Sequence, residues 1–151
     1  MAAGRAAYLD TSFVAPYYLA EATSRSVETF IKNAQSGSLA LSSWTTVEFA
    51  SLLARKQRMT ELTADLALEI KGRFDQDVSY RYDVLTPQNA DYILAEQRVL
   101  RDPGLGLRGP DGLQLAVAAT NSLTLYTLDK TLLTAAQALG VSASNAGIGT
   151  P

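Results

Sequence analysis

Six consecutive residues, Leu123-Thr124-Leu125-Tyr126-Thr127-Leu128, are aliphatic, aromatic or β-branched without a single breaker. Such a run has no polar face to offer water, so it predicts a strand covered on both sides, as in a parallel sheet packed between helices. Upstream, Pro110 suits the first turn of a helix, where a missing N–H is no loss, and Asp111 beside it meets the positive end of the helix dipole. That helix is expected to run to about Asn121. Asp129 closes the strand and can cap the helix that follows. In an α/β unit, strand ends and the helix starts that follow them share one edge of the sheet, where ligands bind. Every other strand-to-helix junction brings its residues to that edge.

Three more junctions are legible. Ala6-Ala7-Tyr8-Leu9 is an apolar run stopped by Asp10-Thr11-Ser12, which favour caps and turns, so a strand is expected to hand over to a helix there. Val27, Phe30, Ile31 and Ala34 follow helical spacing and stop at Gly37, a plausible C′ residue. Leu39 to Ser42 then reads as a short buried strand. The helix expected from Thr45 carries Phe49, Leu52 and Leu53, with Glu48 in its first turn. Leu62, Leu66, Ile70 and Phe74 mark a fourth helix, and Val84-Leu85 ends a third strand. Thr86-Pro87 reads as cap and first position of a helix buried through Ala90, Ile93, Leu94 and Leu100. Asp102 to Gly106 is a loop. Leu132, Leu133, Ala136 and Leu139 form a last helix ended by Gly140, with an edge strand expected at Val141 to Ala143. Strands alternate with helices throughout, which predicts a three-layer α/β/α domain with a mainly parallel central sheet. A length of 151 residues fits one such domain, expected over residues 1–143, with 144–151 as a loose tail.

Four acids fall where a strand gives way to a helix: Asp10, Glu48, Asp111 and Asp129. In a parallel sheet they share one edge. The chain has no cysteine and no histidine, which excludes thiolate chemistry, His-assisted serine chemistry and the usual zinc ligands. Carboxylates remain for metal binding and acid–base work, and oxygen ligands alone favour Mg²⁺ or Mn²⁺. Grouped carboxylates repel one another, and a divalent cation compensates them. Each acid also has a structural task open to it. Asp10 and Asp129 can cap helices, Glu48 stands at capping-box spacing from Thr45, and Asp111 can serve the dipole.

The four junctions together resemble the PIN-domain family, specifically the small VapC-like toxins of toxin–antitoxin pairs. Tyr8-Leu9-Asp10-Thr11-Ser12 resembles the family's opening strand and first acid, and Glu48 after Ser42-Ser43 its helical glutamate. Asp111-Gly112-Leu113-Gln114-Leu115-Ala116 resembles its third-acid helix, and Thr127-Leu128-Asp129-Lys130-Thr131-Leu132 its final motif. The chain departs from the family at Gly109-Pro110, at Gly112 where alanine is common, and at Gln114 where histidine often stands. The resemblance implies a PIN-like fold and a Mg²⁺- or Mn²⁺-dependent endoribonuclease. In it Asp10, Asp111 and Asp129 would hold metal, Glu48 would help hold metal or orient water, and Thr127 and Ser12 would assist by hydrogen bonding. It also implies an RNA substrate, a cognate VapB-like antitoxin and a homodimer.

Cations near the acidic edge are candidates for phosphate contact: Arg55, Lys56, Arg58, Arg98, Arg101 and Arg108. Arg55 lies seven residues after Glu48 and so on roughly the same helical face. The net charge of −2 does not oppose this, because an acidic site and a basic rim cancel in the sum. Trp44 and Tyr17 could stack on bases, though core packing is the ordinary fate of such rings. No apolar run approaches the roughly 18 residues of a membrane span, and no apolar signal region follows Met1 to Arg5, so a cytoplasmic location and no membrane partner are expected. Two alternatives remain. One is a phospho-accepting receiver module, which wants adjacent acids after the first strand where Asp10 stands alone. The other is an interaction domain in which the acids are only caps.

Overall fold

The computed structural model describes residues 6–149. The expectations placed on Met1 to Arg5 and on the last two residues of the tail lie outside that range. Among the described residues five strands form one sheet, β1 (Ala7–Leu9), β2 (Leu39–Ser42), β3 (Asp83–Leu85), β4 (Thr124–Tyr126) and β5 (Ala143–Ser144). Their order is β3-β2-β1-β4-β5, and every pairing is parallel. The α-helices that connect them are α1 (Thr11–Val14), α2 (Ser24–Asn33), α3 (Ser43–Arg58), α4 (Ala64–Tyr80), α5 (Asn89–Arg101), α6 (Gly109–Thr120) and α7 (Lys130–Ala138). The chain first steps outward from β1 to β2 and β3, then returns to the other side of β1 with β4. The order reverses between β1 and β4, and such reversals open a crevice at the carboxyl ends of the two strands.

Period-2 alternation divides the core into two layers. Ala7 and Leu9 of β1, with Leu39 and Leu41 of β2, face a cluster built from Phe13, Val27, Ile31, Phe49, Leu53, Ile70 and Phe74 of α1 to α4. Tyr8, Ala40 and Leu125 face the opposite cluster, supplied by α5, α6 and α7. Both faces are covered, which is the three-layer arrangement the uninterrupted strands predicted. Helix α6 is buried over every residue from Gly112 to Ala118, held between the sheet and α5. Gly112 makes that approach possible: a Cβ there would stand 2.7 Å from Val99 Cγ2 of α5. The glycine that departs from the family pattern is thus required by close helix packing.

Several local expectations need correction. Helix α3 begins at Ser43, capped by the Ser42 hydroxyl accepting the Thr45 N–H, so Glu48 lies in the second turn and has no capping task. Helix α5 starts at Asn89 because Gln88 and Asp91 form a capping box, displacing the Thr86-Pro87 start. Its buried positions are Asp91 and Ala95, whereas Ile93 and Leu100 face outward. Leu66 of α4 is exposed; the buried stripe there is Ala67, Ile70 and Phe74. Gly37, with φ +78°, turns the chain toward β2, and α2 ends at Asn33 with Ala34 as its C-cap. The edge strand lies at Ala143–Ser144, pairing with Leu125 and Tyr126, and Ala146 and Ile148 beyond it are packed against the first cluster. Among the described residues no helix is long and apolar enough to cross a membrane.

Candidate active site

Asp10 leaves β1 at the reversal point, where its N–H donates to Tyr126 O of β4 at 3.1 Å. Its side chain is buried and fully engaged. Oδ1 accepts from the Phe13 N–H at 3.0 Å and the Ser12 hydroxyl at 2.8 Å, and Oδ2 from the Thr127 hydroxyl at 2.6 Å. The first of these caps α1, so the structural task is realised. It does not exhaust the residue. Burial pushes the Asp10 carboxyl up to about 7, against the pull of those three donors, and Glu48 nearby adds to the rise. A carboxylate held at that cost by three donors is set up to meet a cation.

Asp129 follows β4 and caps α7, accepting the Leu132 N–H at 3.1 Å. Asp111 lies in the first turn of α6 behind Pro110, half-buried. Its carboxyl is raised by burial first, then by Asp129 and Glu48, while Arg108 opposes the rise. The helix dipole alone would favour ionisation, so burial and the neighbouring acids together outweigh it here. Glu48 projects from the second turn of α3, and its Oε1 accepts from the Thr11 hydroxyl at 2.9 Å and from Gln114 Nε2 at 2.5 Å. Neither Thr11 nor Gln114 stood out as a site residue in the sequence. Both contacts span large separations, and the signals for them are Thr11's place beside Asp10 and Gln114's place at a family position where histidine often stands.

Asp10, Glu48, Asp111 and Asp129 line one cavity of about 550 Å³, together with Thr11, Ser12, Glu21, Ser51, Arg55 and Arg58. Among the described residues no three acids stand placed to ligate one ion, so holding a metal by three of them requires side-chain rotation. The donor set suits a hard divalent cation: it is all carboxylate, two of its members have raised pKa values, and no thiol or imidazole competes. Ser12 and Thr127 face Asp10 and bind the backbone as well, Ser12 accepting the Leu128 N–H and Thr127 the Asp129 N–H. They brace the junction between β1 and β4.

The cations divide. Arg55 and Arg58, both exposed, reach the cavity. Lys56 turns to Glu61 at 3.0 Å, and Arg108 stands exposed on the Asp111 side. Arg98 and Arg101 belong to α5 and do not line the cavity. Tyr17 stacks edge-on with Tyr18 and lies under the Arg81 guanidinium, and Trp44 packs against the second core cluster, so neither ring reaches the acids.

The PIN domain family matches residues 7–137. No curated protein sequence matches the chain. Among solved structures, FitAcB of Neisseria gonorrhoeae is similar with a TM-score of 0.74 at 20% identity, covering 93% of this chain and 97% of that one. VapC20 of Mycobacterium tuberculosis, described as a sarcin-ricin loop cleaving toxin, gives 0.71 at 17%, covering 90% and 96%. A DNA-bound VapBC of Salmonella typhimurium gives 0.67 at 17%, covering 93% and 97%. At such identities these likenesses speak for the fold. The family match spans the whole set of junctions from Asp10 to Asp129 and decides against the receiver-module alternative: this chain belongs to the PIN-domain family.

Proposed function

We propose that the protein is a divalent-metal-dependent endoribonuclease, the toxin of a VapC-like toxin–antitoxin pair, acting in the cytoplasm. The observation that carries this reading is the convergence of Asp10, Glu48, Asp111 and Asp129 on one cavity whose rim bears Arg55 and Arg58. The VapC and VapBC proteins whose folds this chain shares support the toxin assignment. In this reading Asp10, Asp111 and Asp129 hold Mg²⁺ or Mn²⁺. When bound, the ion polarises the phosphodiester and lowers the pKa of the attacking water. Glu48 helps hold it or orients the water, while Arg55 and Arg58 hold flanking phosphates, with Lys56 and Arg108 as outer contacts. Ser12 and Thr127 fix Asp10. A proton leaves the attacking water toward a carboxylate of the cluster.

A VapB-like antitoxin and a second copy of the chain are the protein partners of this reading. An apolar groove of about 690 Å³ between α5 and α6, lined by Trp44, Tyr92, Val99, Leu100, Pro110 and Leu113, supports a protein-binding role for that face. The function is tested by incubating purified protein with labelled RNA in Mn²⁺, Mg²⁺ or EDTA. Cleavage in either metal that stops in EDTA is expected. Intact RNA in all three, with a melting temperature indifferent to millimolar Mn²⁺, contradicts the reading.

A further inference from the structure

Between the acidic cavity and the second core layer runs a file of buried polar side chains that the nuclease reading leaves without a task. Tyr8 is fully buried in β1, and its hydroxyl lies 2.7 Å from Ser42 Oγ and donates to Gln114 Oε1. The Thr45 hydroxyl adds a second bond to that Oε1 at 3.3 Å. Gln114 is 1% exposed, and its Nε2 donates to Glu48 Oε1 at 2.5 Å. An amide sunk among Leu113, Leu115 and Ala116 costs free energy unless each of its polar atoms is partnered. Both of its polar atoms are.

The file has a direction. Ser42 Oγ accepts the Thr45 N–H as the cap of α3, so its own proton serves Tyr8, and the Tyr8 proton goes on to Gln114. With Oε1 receiving two hydroxyls, Nε2 is left facing the carboxylate. The flipped amide would set an oxygen against Glu48 and a donor against the Tyr8 proton, so this environment admits one orientation. On the other side Thr11 donates to the same carboxylate oxygen at 2.9 Å. Two donors therefore hold Glu48 Oε1 and leave Oε2 for the cavity.

We propose that Gln114 is a positioning residue for Glu48: Tyr8, Ser42 and Thr45 lock its amide, and the amide with Thr11 fixes the carboxylate that faces the reaction. This rests on the nuclease reading, in which Glu48 serves the metal or the water. Outer partners of metal-holding carboxylates typically affect metal affinity or activity 10–100-fold. A residue that only filled the core would affect stability and nothing else.

The test uses Gln114→Met, which keeps length and bulk but removes donor and acceptor, Gln114→His, which restores a donor, and Tyr8→Phe, which removes the hydroxyl behind the amide. Three readouts are taken: Mn²⁺ affinity by calorimetry, kcat and KM on RNA, and the Gln114 side-chain amide signals by NMR during Mg²⁺ titration. The amide protons are expected downfield and slow to exchange, moving when Mg²⁺ is added and losing their displacement in Glu48→Gln. Gln114→Met is expected to lower Mn²⁺ affinity and kcat about 10–100-fold with KM for RNA unchanged, Gln114→His to recover part of both, and Tyr8→Phe to act in the same direction but less. A folded Gln114→Met protein within twofold of an active parent in affinity and kcat overturns the positioning role and leaves the nuclease reading standing. A parent that neither binds Mn²⁺ nor cleaves RNA overturns both. If Gln114→Met does not fold, Tyr8→Phe decides, and amide signals and Mn²⁺ affinity identical to the parent's overturn the proposal.

Discussion

The Thr127 hydroxyl donates a 2.6 Å hydrogen bond to Asp10 Oδ2, joining the carboxyl ends of β4 and β1 across the point where the sheet order reverses. Thr127 and Asp10 are 117 residues apart in sequence, and the bond between them holds Asp10, which lines the acidic cavity. Burial of Asp10 outweighs this donor, the Ser12 hydroxyl and the Phe13 N–H, and the carboxyl is left near 7.

A pH dependence follows. The unfolded chain releases the Asp10 proton near 3.8, and the folded protein near 7. Between those values the native state binds more proton than the unfolded one, so stability contributed at this site falls as pH rises. In metal-stripped protein, urea unfolding should show this as a slope of up to about 1.4 kcal/mol per pH unit from about pH 4 to 7, levelling above. Asp10→Asn should remove that component while keeping the cap, since Asn caps as well as Asp. Parent and variant with the same pH profile would show that Asp10 is not the group responsible. With saturating Mn²⁺ the parent slope between about pH 4 and 7 should disappear, because the ion holds the carboxylate charged, and stability should then fall only as pH drops toward 3.8.

RNA binding should depend on salt despite the net charge of −2. Arg55 and Arg58 line the cavity, whereas Lys56 is committed to Glu61. Arg55→Ala is expected to reduce the slope of log K against log salt by about 0.7, the value for one phosphate contact on a single strand. Lys56→Ala should change it less. Fluorescence anisotropy in EDTA reads both, and an Arg55→Ala slope equal to the parent's removes Arg55 from the RNA path.

Gly112→Ala tests the packing that sets Asp111 in place. The added methyl would stand 2.7 Å from Val99 Cγ2 and 3.4 Å from Ala95 O. Val99 is β-branched and cannot swing aside without leaving its rotamer. Overpacking of this kind costs about 1–3 kcal/mol, partly offset by roughly 1 kcal/mol of helix propensity. A net loss of stability is expected, smaller in the presence of Val99→Ala, with a favourable coupling in the double-mutant cycle. Additive effects would show that α5 and α6 adjust freely there.

The sequence made β1, β2 and β4 legible because strands covered on both faces read as unbroken apolar runs, and these three are of that kind. The expectation of strand-to-helix junctions holds for Asp10 and Asp129 but not for Asp111, because α6 follows α5 with no strand between them; the structure nevertheless brings all three to one cavity with Glu48. Helix α5 was less legible, because its buried face carries Asp91, which takes the Gln88 N–H and the Thr120 hydroxyl, while Ile93 and Leu100 face outward. An apolar stripe is a poor guide where a helix buries a capping carboxylate and exposes a groove. Glu48 was read as a first-turn residue because Thr45 looked like a cap, and Ser42 takes that role. The link from Gln114 to Glu48 crosses 66 positions and exists only once α3 and α6 meet at β1.

Asp111→Asn decides whether the acids gather to bind metal for catalysis, because Asp111 caps nothing. Stability without metal, Mn²⁺ binding and RNA cleavage should be measured on the same parent, Asp111→Asn and control Glu69→Gln preparations, Glu69 being an exposed acid of α4. A residue serving only the helix dipole would cost roughly 0.3–1 kcal/mol on replacement and leave cleavage intact. The expected result is the reverse: apo stability equal to or above the parent's, because Asp129 and Glu48 lose a like-charged neighbour, with Mn²⁺ binding and cleavage abolished and the control unchanged. An Asp111→Asn protein that melts below the parent yet cleaves RNA at the parent's rate in Mn²⁺ would contradict the claim.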